Sequence, residues 1–277
     1  MYHPAVPLHI PGDPAPSHEP ALDPGRFTAL ADPADAHRLR PALAYYLAGY
    51  FPMGLEDRPG VRWVSPNRRA ILPLRKGSFR VPKSLAQRCR SQRFTIRCDT
   101  AFEPVLRACA APRLIEGTTE HGSWLCPPII NLYLALHRAR LAHSLEAWLP
   151  SPAGDRLVGG LYGLALGGAF FGESMFSRPL EGGTDASKVC LVALVGHLRR
   201  QRFTLLDTQL TNPHTASFGV REIPADRFLE RLRRAALRDA AWGQFEPDLA
   251  FSHAHEITPS ASAAHRPPKP PRIPEAS

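Results

Sequence analysis

The stretch from Leu157 to Gly172, within "RLVGGLYGLALGGAFFGESMFS", constrains the fold more than any other part of the chain. It is the longest apolar run, yet it carries six glycines. A run that short and that rich in glycine reads as buried strands and not as a membrane span. Gly167-Gly168 divides it into two β-segments, as a hairpin would. Directly after it stands Glu173, a lone acid among apolar and small residues. A carboxylate in such a setting is costly unless something pairs with it, hydrogen-bonds it or uses it.

The flanking segments supply elements to cover such a hairpin. Leu39, Leu43, Tyr46, Leu47 and Tyr50 recur at helical spacing over 36–50, with Gly49 near the end and Pro52 beyond. Val61 to Val64 and Ala70 to Leu72 read as short strands around a Ser-Pro-Asn turn. A helix after Pro82, a strand at Phe94 to Cys98, a helix near Phe102 to Cys109, a helix carrying Ile129, Tyr133 and Leu136, and a strand at "HSLEAWL" follow. Past the hairpin, Asp185 and Ser187 offer a start for a helix over Ala186 to Arg200. "FTLLDTQ" is a further strand, and Ala225 to Ala241 a basic, Leu-bearing helix. This order predicts a mixed α/β fold, a sheet covered by helices.

At 277 residues the chain has room for one or two domains. Residues 1–25 hold seven prolines, and 251–277 is a Pro/Ala/Ser/His mixture, so both are expected to be disordered tails. Five cysteines without a CxxC pair fit a reduced, cytoplasmic setting, and no secretory signal opens the chain. The net charge of +9 is concentrated: Arg58 to Arg97 holds twelve Lys or Arg and no acid, with Trp63, Phe79 and Phe94 among them. Such a segment suits either a polyphosphate or bulk solvent.

Several polar residues are candidates for chemistry. Asp207 and Gln209 lie two apart in a strand, which directs them to one face where an acid and an amide can orient an amine. Glu173 has Ser174 and Ser177 as nearby hydroxyls. Thr211 to Ser217, "TNPHTAS", is a turn rich in donors and acceptors; His214 there reads either as a general base or as a structural residue. Trp124 and Phe170 suit a stacking or apolar site, or the core. Glu116, Glu120 and His121 lack metal-ligand spacing, and neither a phosphate-binding loop nor a dinucleotide fingerprint occurs.

Taken together, "GYFPMG", "RWVSPNRRA", "SWL", "HSLEAWL", "LVGGLYGLALGGAFFGESMFSR", "ASK" and "LLDTQLTNPHTASFG" with "EIP" resemble the leucyl/phenylalanyl-tRNA-protein transferases, in order and spacing, over about residues 40–230. The resemblance implies a small N-terminal α+β domain, residues 26–78, before a catalytic domain, 79–250, of the Gcn5-related N-acetyltransferase kind. It implies transfer of Leu or Phe, less readily Met, from aminoacyl-tRNA to the α-amine of proteins beginning with Arg or Lys, marking them for N-degron turnover. It assigns catalysis to Asp207, Gln209 and Glu173, substrate binding to Trp124, Phe170, Ser174, Asn212 and His214, and no metal or cofactor. The tRNA is expected on Arg68, Arg69, Arg75, Lys76, Arg80 and Lys83, with the protein a monomer free of membrane. Met53 stands where an aromatic is common, and "ALADPADAHRLR" replaces the usual Gly-Gly-Asp type of block.

Two rival readings stand beside this one. An acetyl-CoA-dependent acetyltransferase would need a pyrophosphate turn, and the nearest candidate, "RLVGGL", lies within a strand. A non-catalytic RNA-binding protein accounts for the basic segment but leaves the joint occurrence of Glu173, Asp207 and Gln209 without a reason.

Overall fold

The computed structural model of the chain describes residues 22–29, 31–55, 60–111 and 124–251, apart from the side chains of Ala34, Pro213 and His214. The segment carrying Glu116, Glu120 and His121, and nearly all of both expected tails, lie outside the described residues. In chain order the elements are α1 (Pro33–Leu47), β1 (Phe51–Gly54), β2 (Val61–Val64), β3 (Arg68–Leu72), α2 (Lys83–Arg90), β4 (Thr95–Cys98), α3 (Phe102–Ala110) and α4 (Pro127–Arg138). They continue with β5 (Ala142–Leu149), β6 (Arg156–Leu166), β7 (Ala169–Ser177), α5 (Ala186–Arg200), β8 (Leu205–Gln209), α6 (Pro213–Ala216), β9 (Arg221–Pro224) and α7 (Ala225–Ala236).

The glycine-rich run folds as the central hairpin: β6 and β7 pair antiparallel and turn at Gly167, whose φ is +55°. A side chain there would come within 2.4 Å of the Ala236 carbonyl, so glycine answers both the turn and the close approach of α7. The hairpin sits inside a seven-stranded sheet of order β4-β5-β6-β7-β8-β3-β9. Helices cover both faces. Leu39, Leu43 and Tyr46 of α1, Val105 and Leu106 of α3, Ile129 and Tyr133 of α4, and Phe228 and Leu232 of α7 form one core; Leu85 and Cys89 of α2 and the apolar length of α5 form the other.

Two strands depart from the sequence reading. β2 and β3 were expected to flank a turn within one small unit, but β2 pairs with β1, whereas β3 enters the large sheet between β8 and β9. A division near residue 78 therefore cuts through hydrogen-bonded structure. Strands β1 and β9, four residues each with a proline in both, carry too little pattern to be read from composition. The last helix also stops earlier than residue 241, at Ala236.

One junction positions everything that follows. Among the described strands every pairing is antiparallel except β7 with β8, which run parallel after the α5 crossover. They share only Ala169 to Phe171 against Leu205 to Asp207, and then part. Each also carries an irregularity at that point. In β7, Gly172 and Ser174 face Gly163 and Tyr162, leaving Glu173 as an extra residue; in β8, Asp207 and Gln209 face Ile71 and Ala70, leaving Thr208 extra. Bulges of this kind redirect side chains and end pairing, so the sheet opens between two strands at the polar residues.

Candidate active site

A cleft of about 880 Å³ fills the opening between β7 and β8. Its floor on the α5 side is aliphatic, with Leu72, Leu161, Met175, Leu191, Leu194 and Leu206. Its polar side brings together Trp124, Glu173, Ser174, Gln209, Asn212 and Thr215, while Arg178, Asp185 and Lys188 line the remainder. Five of the eight residues expected in catalysis and substrate binding thus line one cavity: Trp124, Glu173, Ser174, Gln209 and Asn212.

Glu173 reaches the cleft because the bulge aims it there. Its Oε1 accepts a hydrogen bond of 2.8 Å from the Tyr46 hydroxyl of α1, and the Tyr46 and Tyr133 hydroxyls are in turn hydrogen-bonded to each other. Burial pushes its carboxyl up to about 8; the two tyrosine hydroxyls pull it back, the Asp207 charge raises it, and Arg69 lowers it. Burial likewise raises both tyrosines well above their ordinary range. Tyr162 of β6 also borders the cleft, its hydroxyl buried and without a hydrogen-bond partner.

Asp207 departs from the expectation that it meets the amine. Its carboxylate is fully buried and is held by both arms of the Arg69 guanidinium, Nε at 2.8 Å and Nη2 at 2.6 Å. The Gln209 backbone N–H donates to the same Oδ1 at 3.0 Å. Asp207 is absent from the cleft wall, whereas Gln209, whose backbone N–H it holds, lines it. Gln209 has φ +56°, so the alternation that would set the two side chains on one face breaks at that residue. Its side-chain Nε2 is buried with no partner, a donor left over beside the cleft.

Arg69 is the second correction. Expected on the tRNA face, it is 1% exposed. Besides Asp207 it donates to the Gly49 carbonyl at 2.8 Å, and its guanidinium lies between the Phe51 and Phe228 rings at 4.7 and 4.6 Å. Buried, hydrogen-bonded through all three nitrogens and packed against two rings, it is closed to a phosphate. Arg68, Arg75, Lys76, Arg80 and Lys83 are exposed, and Arg68 bonds Glu222 at 3.3 Å. Their loop is tied to the end of α6: Arg80 N–H donates to the Phe218 carbonyl at 3.0 Å, and the Phe79 and Phe218 rings stack at 5.4 Å.

Phe170 is the third. It is fully buried on the α5 side, stacked on Trp242 at 5.3 Å, and does not border the cleft, because Gly172 occupies the next position on that face. Asn212 caps α6, its Oδ1 accepting from Thr215 N–H at 2.9 Å. His214 lies in that helix, but its side chain is outside the described residues. Asp185 precedes α5 as expected, but its side chain does not cap the helix; it pairs with Lys188 at 2.9 Å and Arg88 at 3.3 Å. Sequence reasoning missed Tyr46 and Tyr133 as site residues, reading them as apolar faces of helices, and gave Arg69 to the tRNA instead of to Asp207.

A cleft at the carboxyl ends of a parallel strand pair, apolar on one wall and polar on the other, defines an α/β protein with a ligand site at its sheet opening. The family profile described as leucyl/phenylalanyl-tRNA protein transferase matches residues 71–233. The leucyl/phenylalanyl-tRNA–protein transferase of Paramagnetospirillum magneticum is 49% identical over 214 residues, 76% of this chain and 95% of that one. That of Chlorobaculum parvum is 46% identical over 193 residues, 70% of this chain and 92% of its own. The chain belongs to the leucyl/phenylalanyl-tRNA–protein transferase family and is an aminoacyltransferase. Among solved structures, L-PGS from Bacillus licheniformis matches 78% of this chain and 69% of its own at 15% identity with a TM-score of 0.33, too loose a likeness to argue from. Among the described residues, no helix is long and apolar enough to cross a membrane.

Proposed function

We propose that the protein transfers Leu or Phe, and less readily Met, from aminoacyl-tRNA to the N-terminal α-amine of proteins beginning with Arg or Lys, marking them for N-degron turnover in the cytoplasm. The observation that carries this reading is the two-walled cleft: an aliphatic floor of Leu161, Met175, Leu191, Leu194 and Leu206 suits an apolar aminoacyl side chain, beside Glu173 and the unpartnered amide of Gln209. An aminoacyl ester is already activated, so the protein need only hold ester and amine in attack geometry, stabilise the developing oxyanion and manage a proton. Gln209 is assigned to the reacting groups, and Asp207 is assigned to holding Gln209 in place.

Trp124 is assigned to the terminal adenosine by stacking, with Ser174, Asn212 and His214 as further contacts. Arg68, Arg75, Lys76, Arg80 and Lys83 are assigned to the tRNA backbone. Their exposure supports this, as does the attachment of their loop to Phe218, three residues beyond Thr215 of the cleft wall. The parallel β7–β8 pair within an otherwise antiparallel sheet supports a fold of the Gcn5-related acetyltransferase kind; the protein is assigned the monomeric state.

The test is transfer of labelled Leu or Phe from charged tRNA to peptides that differ only in their first residue: Arg, Lys, Asp, Glu or Ala. Transfer to Arg and Lys alone is expected. Transfer to Asp or Glu would keep the chemistry and replace the acceptor rule; no transfer to any peptide would leave a tRNA-binding protein.

A further inference from the structure

Among the described residues, Glu173 and Asp185 are the acids that border the cleft. Asp185 is held by Lys188 and Arg88. Asp207 spends both oxygens on Arg69 and on the Gln209 backbone. Glu146, the other fully buried acid, is closed off by Ser144, Thr100 and the Ala101 N–H at 2.6, 2.7 and 3.3 Å, away from the cleft. Glu173 alone combines cleft access with neutral hydroxyl donors that leave its charge unneutralised.

On the transfer reaction proposed above, we infer that the Glu173 carboxylate takes a proton from the acceptor's α-ammonium, with Tyr46 and Tyr133 as positioning residues that hold it toward the cleft. The step balances. The ammonium gives one proton to Glu173 and becomes the amine. Its lone pair forms the C–N bond at the ester carbonyl, the bond from that carbon to the ribose oxygen breaks, and the departing oxygen takes the second amine proton. Glu173 then returns its own proton to water.

Burial raises the carboxyl to about 8, close to the ordinary range of an α-amine, so the transfer costs little in either direction. The groups facing it are Tyr46 on α1, Tyr133 on α4, Tyr162 on β6, Arg69 on β3 and Asp207 on β8. Tyrosine hydroxyls suit this role better than a directly paired cation would: they orient the carboxylate and offset only part of the upward push of burial.

The experiment is the pH profile of kcat/KM for transfer from charged tRNA to an Arg-initiated peptide, in wild type, Glu173→Gln and Tyr46→Phe. Glu173→Gln should lose about 100-fold or more at neutral pH while binding charged tRNA as wild type does. Tyr46→Phe removes one donor to the carboxylate and keeps the ring packed on Trp63 and Phe171, so the variant should fold. It should move the acid limb upward by about one pH unit, because the charged form of Glu173 has lost a hydrogen bond. The peptide's own amine titrates identically in all three enzymes, so a moved limb belongs to the protein. A Glu173→Gln enzyme as fast as wild type, or a limb unmoved in Tyr46→Phe, overturns the assignment. A wild-type protein that transfers nothing would sink the reaction itself, and this assignment with it.

Discussion

Asp207 shows how a residue can matter to a reaction without meeting the substrate. Its carboxylate and the Arg69 guanidinium are buried together at 2.6 Å, flanked by Phe51 and Phe228. Removing one member of such a pair strands the other charge in the core, at a cost of about 3–5 kcal/mol. Asp207→Ala is therefore expected to lower the free energy of unfolding measured in urea by an amount of that order, as well as to abolish transfer. Replacing Arg69 and Asp207 together by apolar residues should recover much of the stability and none of the activity, since Gln209 would still lack the carboxylate its N–H donates to. Asp207→Ala with wild-type stability would mean that the ion pair contributes nothing to the fold. The chain announced Asp207 by its block, but not its partner. Arg69 sits in a run of cations whose other members are exposed, and only a sheet order that places β3 beside β8 distinguishes it. Tyr46 and Tyr133 were hidden in the same way, because helical spacing marks a buried face and cannot tell a packing ring from a working hydroxyl.

At the level of elements, the hairpin and α5 were the most legible parts. The paired glycines at 167–168 placed the turn, and α5 starts and ends where the apolar pattern put it. The bulges at Glu173 and Thr208 were not legible, because period-two alternation says nothing of the register against a neighbour. α5 is seated by its first residue: a Cβ added at Gly159 would lie 2.4 Å from the Ala186 Cβ and 3.1 Å from backbone atoms of Ala186 and Ser187. Gly159→Ala should push the start of α5 off the sheet, costing about 1–3 kcal/mol as an overpacked core. Because Ser187 and Lys188 border the cleft, transfer should fall more than the melting temperature alone would explain. Parallel melting and transfer assays check this; unchanged transfer would show that the seat of α5 does not shape the cleft.

Across the whole molecule, charge and topology act together. The exposed cations of the β3–α2 segment are tied through Phe79 and Arg80 to Phe218, three residues beyond Thr215 of the cleft wall, and are proposed to hold a polyanion while its aminoacylated end enters. Replacing Arg75, Lys76, Arg80 and Lys83 by neutral residues should weaken tRNA binding and flatten its dependence on salt by about one unit of slope for each phosphate no longer neutralised. An equal loss at every salt concentration would instead mean a change of shape. β3, from within the expected first part, lies in the sheet of the second, which the order of elements along the chain does not reveal. The extra residue in β7 has a further bearing, on which length changes the gene can accept. It lets Ser174, Met175 and Phe176 keep their partners on β6 while one more side chain is turned out of the ladder, so that deleting one position between Gly172 and Ser174 would leave Met175 and Phe176 in their layers and remove the bulge that aims an acid at the cleft. The turn at Ser151 to Gly154, exposed and open around Gly154, is free of that constraint, so insertions and deletions are expected there and excluded from the strand that carries Glu173.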